Sequence, residues 1–311
     1  MRKSKYWDDF ERRIIETVSA ISSNQIPKIR RVACFITNKC NFNCKYCNHQ
    51  NTKNTMAKDT FIKILNKYGD SSIIHITGGE PSVVSWLYGF LNDNKNNFRF
   101  HLNTNMYIMP PVKAVKRLKV SLDSCDKEYW NNLVGRNAFD RVVKNIKNAT
   151  QDTVVSITYT LTKQNYKDVV KFAEFCNKEF PDIYAIFFSV YKGIDERFVL
   201  SDNDAEYFFA NILPDLMPIL NHESARLIEE TIDEKLRLMK GIRFKQNCDG
   251  KICYLSMSER VFSPNGNEYT CSHLYRDGVY MKVPQKHIKC RYGCNRRLVA
   301  FNEEIQKRLN I

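Results

Sequence analysis

The sequence predicts an α/β fold: a partial, open (β/α)6 barrel followed by a small C-terminal domain. Three observations point there. Six short apolar, β-branched stretches, 31–37, 73–77, 98–103, 117–122, 153–161 and 183–190, read as buried strands. Helical patterns separate them, clearest at 82–92, 138–149 and 166–179. Such alternation builds a parallel sheet with helices outside, and six units are too few to close an eight-stranded TIM-type barrel. From residue 245 the texture changes to short strands and turns, Pro264-Asn265-Gly266-Asn267 among them, with five cysteines in close succession. The expected divisions are residues 1–30, an N-terminal helix and lead-in; 31–200, the barrel; 201–244, a helical connection; and 245–311, the small domain.

Taken in order, residues 4–23 form an amphipathic pattern with Phe10, Ile14, Val18 and Ile21 on one face, a helix for the outside or base of the barrel. Pro27 ends the lead-in, and the first strand begins near Arg31. After it, Asp59 precedes Phe61-Ile62-Lys63-Ile64-Leu65, a helix that stops at Gly69. Residues 201–240 read as helical, with Ser201 and Asp202 as caps and Pro214 and Pro218 as interruptions. No repeat or low-complexity segment stands out.

The chain is organised around Cys40-Asn41-Phe42-Asn43-Cys44-Lys45-Tyr46-Cys47, three cysteines spaced C-x₃-C-x₂-C directly after the first strand. Three thiolates on one loop can each bind a different iron of a 4Fe–4S cluster, leaving the fourth iron open for chemistry. A zinc site would normally pair two such cysteines with a second pair further on, and no fourth partner is near. The octet resembles the signature of radical S-adenosylmethionine enzymes, C-x₃-C-x-aromatic-C, with Tyr46 in the aromatic position. The resemblance implies that Cys40, Cys44 and Cys47 carry the catalytic cluster. It also implies that Tyr46 lies against the cofactor's adenine and that the methionyl group chelates the open iron. An electron from the reduced cluster then yields methionine and a 5′-deoxyadenosyl radical. The likeness spans roughly residues 30 to 200, with a looser one over 245 to 295.

In barrels of this kind the site collects at the carboxyl ends of the strands, where the remaining motifs fall. Gly78-Gly79-Glu80-Pro81 ends the second strand; its glycines permit close backbone approach, and Glu80 can accept from an ammonium group. The resemblance assigns this motif to the methionyl amine. Asn105 in Asn103-Thr104-Asn105, and Ser121 and Asp123 in Ser121-Leu122-Asp123-Ser124, end the next two strands. The same resemblance implies that Asn105 lines the cofactor site and that Ser121 and Asp123 meet the cofactor's ribose or carboxylate; ordinary strand-end capping is the alternative for both motifs. His75 and His101 lie within strands, so a barrel-lining role is expected. Cys34, Cys125 and Cys176 are expected as small core residues.

In the tail, Cys253, Cys271, Cys290 and Cys294, with Cys248 in reserve, resemble the auxiliary-cluster region of radical enzymes with a twitch or SPASM domain. A zinc ribbon, joined by His273 or His287, is the alternative. Four ligands would leave no iron open, which suits electron transfer or structure.

Eleven cysteines in a chain with no apolar signal core point to metal or catalytic use in a reducing, cytoplasmic setting. No apolar run reaches the ~18 residues of a membrane span. The net charge of +14, half of it carried by residues 241–311, invites a nucleic-acid partner, although an AT-rich codon bias also yields Lys-rich chains. The functional expectation is a radical oxidoreductase acting on a small molecule or nucleotide, with an auxiliary 4Fe–4S cluster as electron acceptor and a reductant such as flavodoxin or ferredoxin. Alternatives are a radical maturase of a peptide or protein, which the short N-terminal segment disfavours, and a nucleic-acid-binding or scaffold protein with structural metal sites.

Overall fold

The computed structural model of the chain describes residues 5–47, 53–193, 195–229, 252–272, 275, 288–289 and 296–311. The six expected strands are β1 (Arg31–Thr37), β2 (Ile73–Gly78), β3 (Arg99–Thr104), β4 (Val115–Ser121), β5 (Val154–Leu161) and β6 (Ala185–Val190). The helices in the same stretch of chain, with the one before it, are α1 (Lys5–Ser22), α2 (Lys58–Tyr68), α3 (Leu87–Asp93), α4 (Lys127–Val134), α5 (Phe139–Ala149) and α6 (Val169–Glu179). There follow α7 (Asp202–Tyr207), α8 (Leu213–Leu216), α9 (His222–Glu229), β7 (Ile252–Cys253), β8 (Glu259–Phe262), β9 (Glu268–Tyr269), β10 (Ile288–Lys289) and α10 (Arg296–Leu309).

One sheet runs in the order β6-β5-β4-β3-β2-β1-β8-β9. All its pairings are parallel except the antiparallel β8–β9 hairpin. The sheet therefore extends past the six expected strands: β8 joins β1 in parallel, Arg31 opposite Glu259. Strands of four and two residues offer too little periodicity to read in a turn-rich stretch. The division expected near 245 lies outside the described residues, as do 230–240 of the helical connection. The rest of that connection is α7 to α9, begun by a capping box between Ser201 and Asp204.

Alternation along the strands sorts two faces. Val32, Cys34, Ile36, Ile74, Ile76, Phe100, Leu102, Leu118, Val120, Ile157 and Phe188 form one buried core with helix residues such as Phe61, Leu87, Val142, Phe172 and Cys176. The opposite, inward face is different. Over β2 to β5 it presents His75, Thr77, His101, Asn103, Arg117, Lys119, Thr158 and Thr160, most of them only half-buried. His75 and His101 are edge-to-face neighbours, 6.5 Å between centroids, in the lining position expected of them.

α1 packs with α10 around Ile14, Tyr254, Leu255, Met257, Phe301 and Ile305. Arg13 donates to Ser258 Oγ (2.9 Å) and pairs with the buried carboxylate of Glu259, which Arg31 also meets at 3.0 Å. These residues start β8 and β1, so α1 sits at the base of the sheet, away from the strand ends that carry the motifs.

Burial and the positive charges of Arg99 and Arg31 hold the His101 imidazole down to about 4. An unfolded His101 takes its proton near 6.5, so between those pH values the unfolded chain binds more protons and stability rises with pH. The His101→Gln variant is expected to lose less stability than the parent when pH falls from 6.5 toward 4. Urea unfolding midpoints at the two ends of that window check it.

Candidate active site

The cysteine loop is held on every side by backbone. After Thr37 the chain runs beside the end of β2: Gly79 N–H donates to Thr37 O (2.7 Å) and Glu80 N–H to Lys39 O (2.8 Å). On its far side α4 presents its last carbonyls, Val134 O to Asn43 N–H (3.0 Å) and Leu133 O to Lys45 N–H (2.9 Å). These acceptors are left over at any helix C-terminus. α4 ends there because Gly135 turns left-handed at φ 68°, and it begins where Asp126 caps the Tyr129 N–H. Arg136 then reaches back to Asn41 O at 3.0 Å.

The two glycines of the second motif are explained by this approach. Gly78 has φ 149°, and a Cβ on it would strike the Thr37 carbonyl; one on Gly79 would strike the Lys39 carbonyl. The close neighbour is thus the cysteine loop's own backbone. Because backbone cannot swing aside as a side chain can, Gly79→Ala is expected to lower the unfolding free energy by about 1–3 kcal/mol, read by urea titration.

Glu80 is fully buried. Its carboxylate accepts from Ser82 N–H (2.9 Å), the Thr104 hydroxyl (2.9 Å) and Asn105 N–H (2.6 Å), joining the ends of β2 and β3. Burial raises its pKa, and these three donors oppose the rise. Asn105 in turn donates to Asn41 Oδ1 at 2.7 Å and lies 4.0 Å from Cys40 Sγ. Met106 next to it is buried in the left-handed region, φ 61°, a conformation costing about 1–2 kcal/mol outside glycine. Asn145 holds its carbonyl at 2.9 Å. Strain retained beside a polar network is a frequent mark of a functional site.

Asp123 is likewise buried. It accepts from the Tyr46 hydroxyl at 2.5 Å and from Thr160 N–H at 2.6 Å, tying the cysteine loop to β5. The Tyr46 ring packs against Leu133, Tyr191 and Phe198. Ser121 is exposed at the inward end of β4 and takes no part in these described contacts. The strand-end residues thus divide into a Glu80–Asn105–Asn41 group around Cys40 and a Tyr46–Asp123–Thr160 group near Cys44. Asn41, Arg136, Asn145 and Thr160 were not expected; the capped helix pattern from Asp126 to Gly135 was the available signal for the α4 brace.

Cys40 and Cys44 are half-buried and Cys47 is exposed. Burial raises the Cys40 and Cys44 thiols, and the neighbouring negative groups add to it: Glu80 and Cys47 at Cys40, Asp123, Cys47 and Cys40 at Cys44. Against that, the Phe42 N–H points at Cys40 Sγ, 3.4 Å away. Among the described residues no three His, Cys, Asp or Glu side chains converge on a single metal ion. Three thiols in mutual electrostatic reach on one loop suit a multi-iron group, whose positive irons would draw the thiols into the ionised form.

In the tail, Cys253 and Cys271 are half-buried and both border the α1–α10 core, with Asn302 Nδ2 3.8 Å from Cys253 Sγ. Cys248, Cys290 and Cys294 lie outside the described residues, as do His273 and His287. Cys34 and Cys176 are buried in the core as expected, and Cys125 is half-buried at its border.

Residues 34–176 match the family model of the Radical SAM superfamily. This stretch carries the likeness to a radical SAM domain. The match implies that family's cofactors, a 4Fe–4S cluster carried by three cysteines and S-adenosylmethionine. Among curated proteins, a probable GTP 3′,8-cyclase of Saccharolobus islandicus (strain M.14.25) is 23% identical over 273 residues, 83% of this chain and 81% of that protein. The GTP 3′,8-cyclase of Aliarcobacter butzleri is 24% identical over 218 residues, 64% of this chain and 68% of that protein. Among solved structures, Streptococcus suis SuiB bound to its precursor peptide SuiA superposes with a TM-score of 0.60 at 16% identity, over 87% of this chain and 65% of SuiB. The chain therefore spans just under two thirds of SuiB. The anSMEcpe structure with bound AdoMet superposes at 0.58 and 16% identity, over 90% of this chain and 80% of its own length. These superpositions establish the α/β fold with its mostly parallel sheet. Among the described residues no helix is long and apolar enough to cross a membrane.

Proposed function

We propose that Cys40, Cys44 and Cys47 hold the catalytic 4Fe–4S cluster of a radical enzyme that takes a hydrogen atom from a small molecule or nucleotide. The observation that carries this is the loop itself. Three thiols stand at the carboxyl end of β1, braced by the Gly78-Gly79-Glu80 backbone and by the α4 carbonyls, and the radical SAM model covers the same stretch. Bound there with S-adenosylmethionine, the reduced cluster supplies the 5′-deoxyadenosyl radical that abstracts hydrogen.

This chain's own residues position those groups. Glu80 fixes the end of β2 against β3 so that Asn105 reaches the cysteine loop. Tyr46 and Asp123 fix the loop against β5 and mark where the nucleoside half of the cofactor lies. Gly78 and Gly79 let the cysteine loop close on the end of β2, and in this reading Ser121, exposed at the inward end of β4, meets the cofactor from that side. The loose relationship to proteins named GTP 3′,8-cyclase, over most of both chains, favours a nucleotide substrate over a peptide. SuiB's likeness is one of fold, at 16% identity.

Cys253 and Cys271, bordering one small core, fit as half of a second iron–sulfur site completed by Cys290 and Cys294. Full ligation there suits electron transfer, and with it net two-electron oxidation of the substrate. An external reductant such as flavodoxin or ferredoxin would feed the catalytic cluster. Anaerobically reconstituted, dithionite-reduced protein given S-adenosylmethionine is expected to release 5′-deoxyadenosine and methionine in equal amounts. Intact S-adenosylmethionine after prolonged incubation would overturn the proposal.

A further inference from the structure

Two arginines meet on one tyrosine beside the cysteine loop. After Met106 turns left-handed, Tyr107 is half-buried and Ile108 exposed. The Arg136 guanidinium lies 4.1 Å from the Tyr107 ring centroid and that of Arg141 lies 4.4 Å from it. Arg136 comes from the turn that ends α4, Arg141 from the first turn of α5, and both are exposed. Arg136 also donates to the Tyr107 hydroxyl at 3.1 Å. That bond lowers the phenol's pKa, and the charges of Arg136 and Arg141 add to it.

Like charges gathered on one ring repel, so the arrangement favours an incoming anionic surface. Among the described residues neither guanidinium has a carboxylate partner. Asp140, next to Arg141 in the chain, is held by Lys127 at 2.5 Å, and Glu128 stands at the other end of α4. Lys144, one turn after Arg141, is exposed too, as are Lys39 and Lys45 of the cysteine loop.

This face is close to a cluster ligand. Asn41 O, next to Cys40, accepts from Arg136 at 3.0 Å. The Tyr107 ring meets the buried Phe42 ring edge-on at 5.8 Å, and the Phe42 N–H points at Cys40 Sγ, 3.4 Å away. Tyr107 N–H also donates to Asn105 Oδ1 (3.1 Å), whose side-chain nitrogen lies 4.0 Å from the same sulfur. Two short routes of packed or bonded atoms thus join an exposed cationic face to Cys40. Electron transfer weakens steeply with distance, so a donor has to dock near such a route.

We propose that the Tyr107–Arg136–Arg141 face docks an acidic flavoprotein that reduces the catalytic cluster. The proposal rests on the radical-enzyme reading above and adds to it where the reductant binds. The step moves one electron: the anionic flavin hydroquinone becomes the neutral semiquinone, keeping its proton, and the 4Fe–4S cluster gains the electron. Tyr107 and Ile108 give the face an apolar centre for the edge of a flavin ring, and tyrosine and arginine are favoured at protein interfaces. The surrounding cations attract the acids of the partner and speed its arrival. Such a contact can be small, as suits a donor that must leave again.

The probe is flavodoxin, photoreduced to its hydroquinone, driving 5′-deoxyadenosine release by the reconstituted full-length protein, with dithionite as the parallel reductant. Arg141→Glu is expected to slow the flavodoxin-driven reaction by about tenfold or more at low salt and to leave the dithionite-driven one unchanged. Ile108→Asp is expected to act the same way. Lys178→Glu, the same charge change in the last turn of α6, is expected to alter neither. Added salt should slow the parent with flavodoxin more than it slows Arg141→Glu. An unchanged flavodoxin-driven rate in Arg141→Glu overturns the proposal. So does equal slowing by Lys178→Glu, which is diffuse charge, or equal slowing with dithionite, which is damage to the loop. Arg141-dependent reduction by ferredoxin alone, or Arg141-dependent binding of a single-stranded oligonucleotide with none of flavodoxin, overturns it in favour of that partner. Oxidised flavodoxin titrated into the chain with Cys40, Cys44 and Cys47 replaced by alanine should bind as it does to the parent, and more weakly once Arg141→Glu is added. Docking can thus fail while dithionite-driven release succeeds, and the reverse.

Discussion

Replacing Cys40, Cys44 and Cys47 together by alanine is expected to abolish 5′-deoxyadenosine release to the level of a protein-free control, and each single replacement is expected to do nearly the same. The effect is large because the three ligands act as one unit: losing any of them leaves an iron without its anchor and the cluster without a fixed open corner. The variants should still fold, since Cys47 is exposed and Cys40 and Cys44 only border the core. Burial and the nearby negative groups disfavour their ionised forms in the bare chain. Raised thiol pKa values cost stability only above the ordinary thiol range near 9, so urea unfolding of the metal-free variants near neutral pH should stay close to that of the metal-free parent. The triple variant also isolates the tail. About four irons remaining per chain would place a second cluster on Cys253, Cys271, Cys290 and Cys294; zinc in their place would sink it. Undiminished cofactor cleavage in the triple variant would falsify the assignment of the loop.

The strands were legible because a strand between helices buries one face continuously. Arg31–Thr37 and Ile73–Gly78 came within a residue of their expected bounds, since apolar runs such as Val32-Ala33-Cys34-Phe35-Ile36 have few other uses. β8 and β9 were not legible: a strand of four residues and one of two carry no period, and their place beside β1 is decided by packing across the chain. The site shows the same split. Residue types and order singled out Cys40, Gly78, Glu80, Asn105 and Asp123, and the fold brings these to the strand ends as one neighbourhood. Their connections could not be read, since a hydrogen bond between positions 46 and 123 leaves no local pattern. The Gly78-Gly79 pair is the instructive case. Both residues were expected to let backbone approach a ligand, and the backbone they admit is that of Thr37 and Lys39.

Glu80→Ala is expected to destabilise the fold by about 3–5 kcal/mol, because a buried acceptor disappears while its donors stay buried. Ser82 N–H, Asn105 N–H and the Thr104 hydroxyl lose their partner together, and each unsatisfied buried donor costs about 1–3 kcal/mol before relaxation. Glu80→Gln separates charge from geometry. The amide oxygen can replace Oε1, which serves Ser82 and Thr104, but its NH₂ then faces the Asn105 N–H. One bond becomes a donor–donor contact, and the loss should be about 1–3 kcal/mol. The order alanine, then glutamine, then parent in urea midpoints checks the clamp; an alanine variant within 0.5 kcal/mol of the parent, ~the scatter expected of neutral surface changes, would show that the carboxylate binds these loops to no purpose. The same variants bear on the cofactor. A carboxylate has about four lone-pair directions, and the contacts above occupy three of them. One remains on Oε2 for the methionyl ammonium. If Glu80 meets that group, Glu80→Gln weakens S-adenosylmethionine binding by a further 1.5–3 kcal/mol, ~the range for a hydrogen bond to a charged partner, measured with the cluster in place. If the affinity follows only the lost stability, Glu80 acts through Asn105 and the cysteine loop, as a positioning residue.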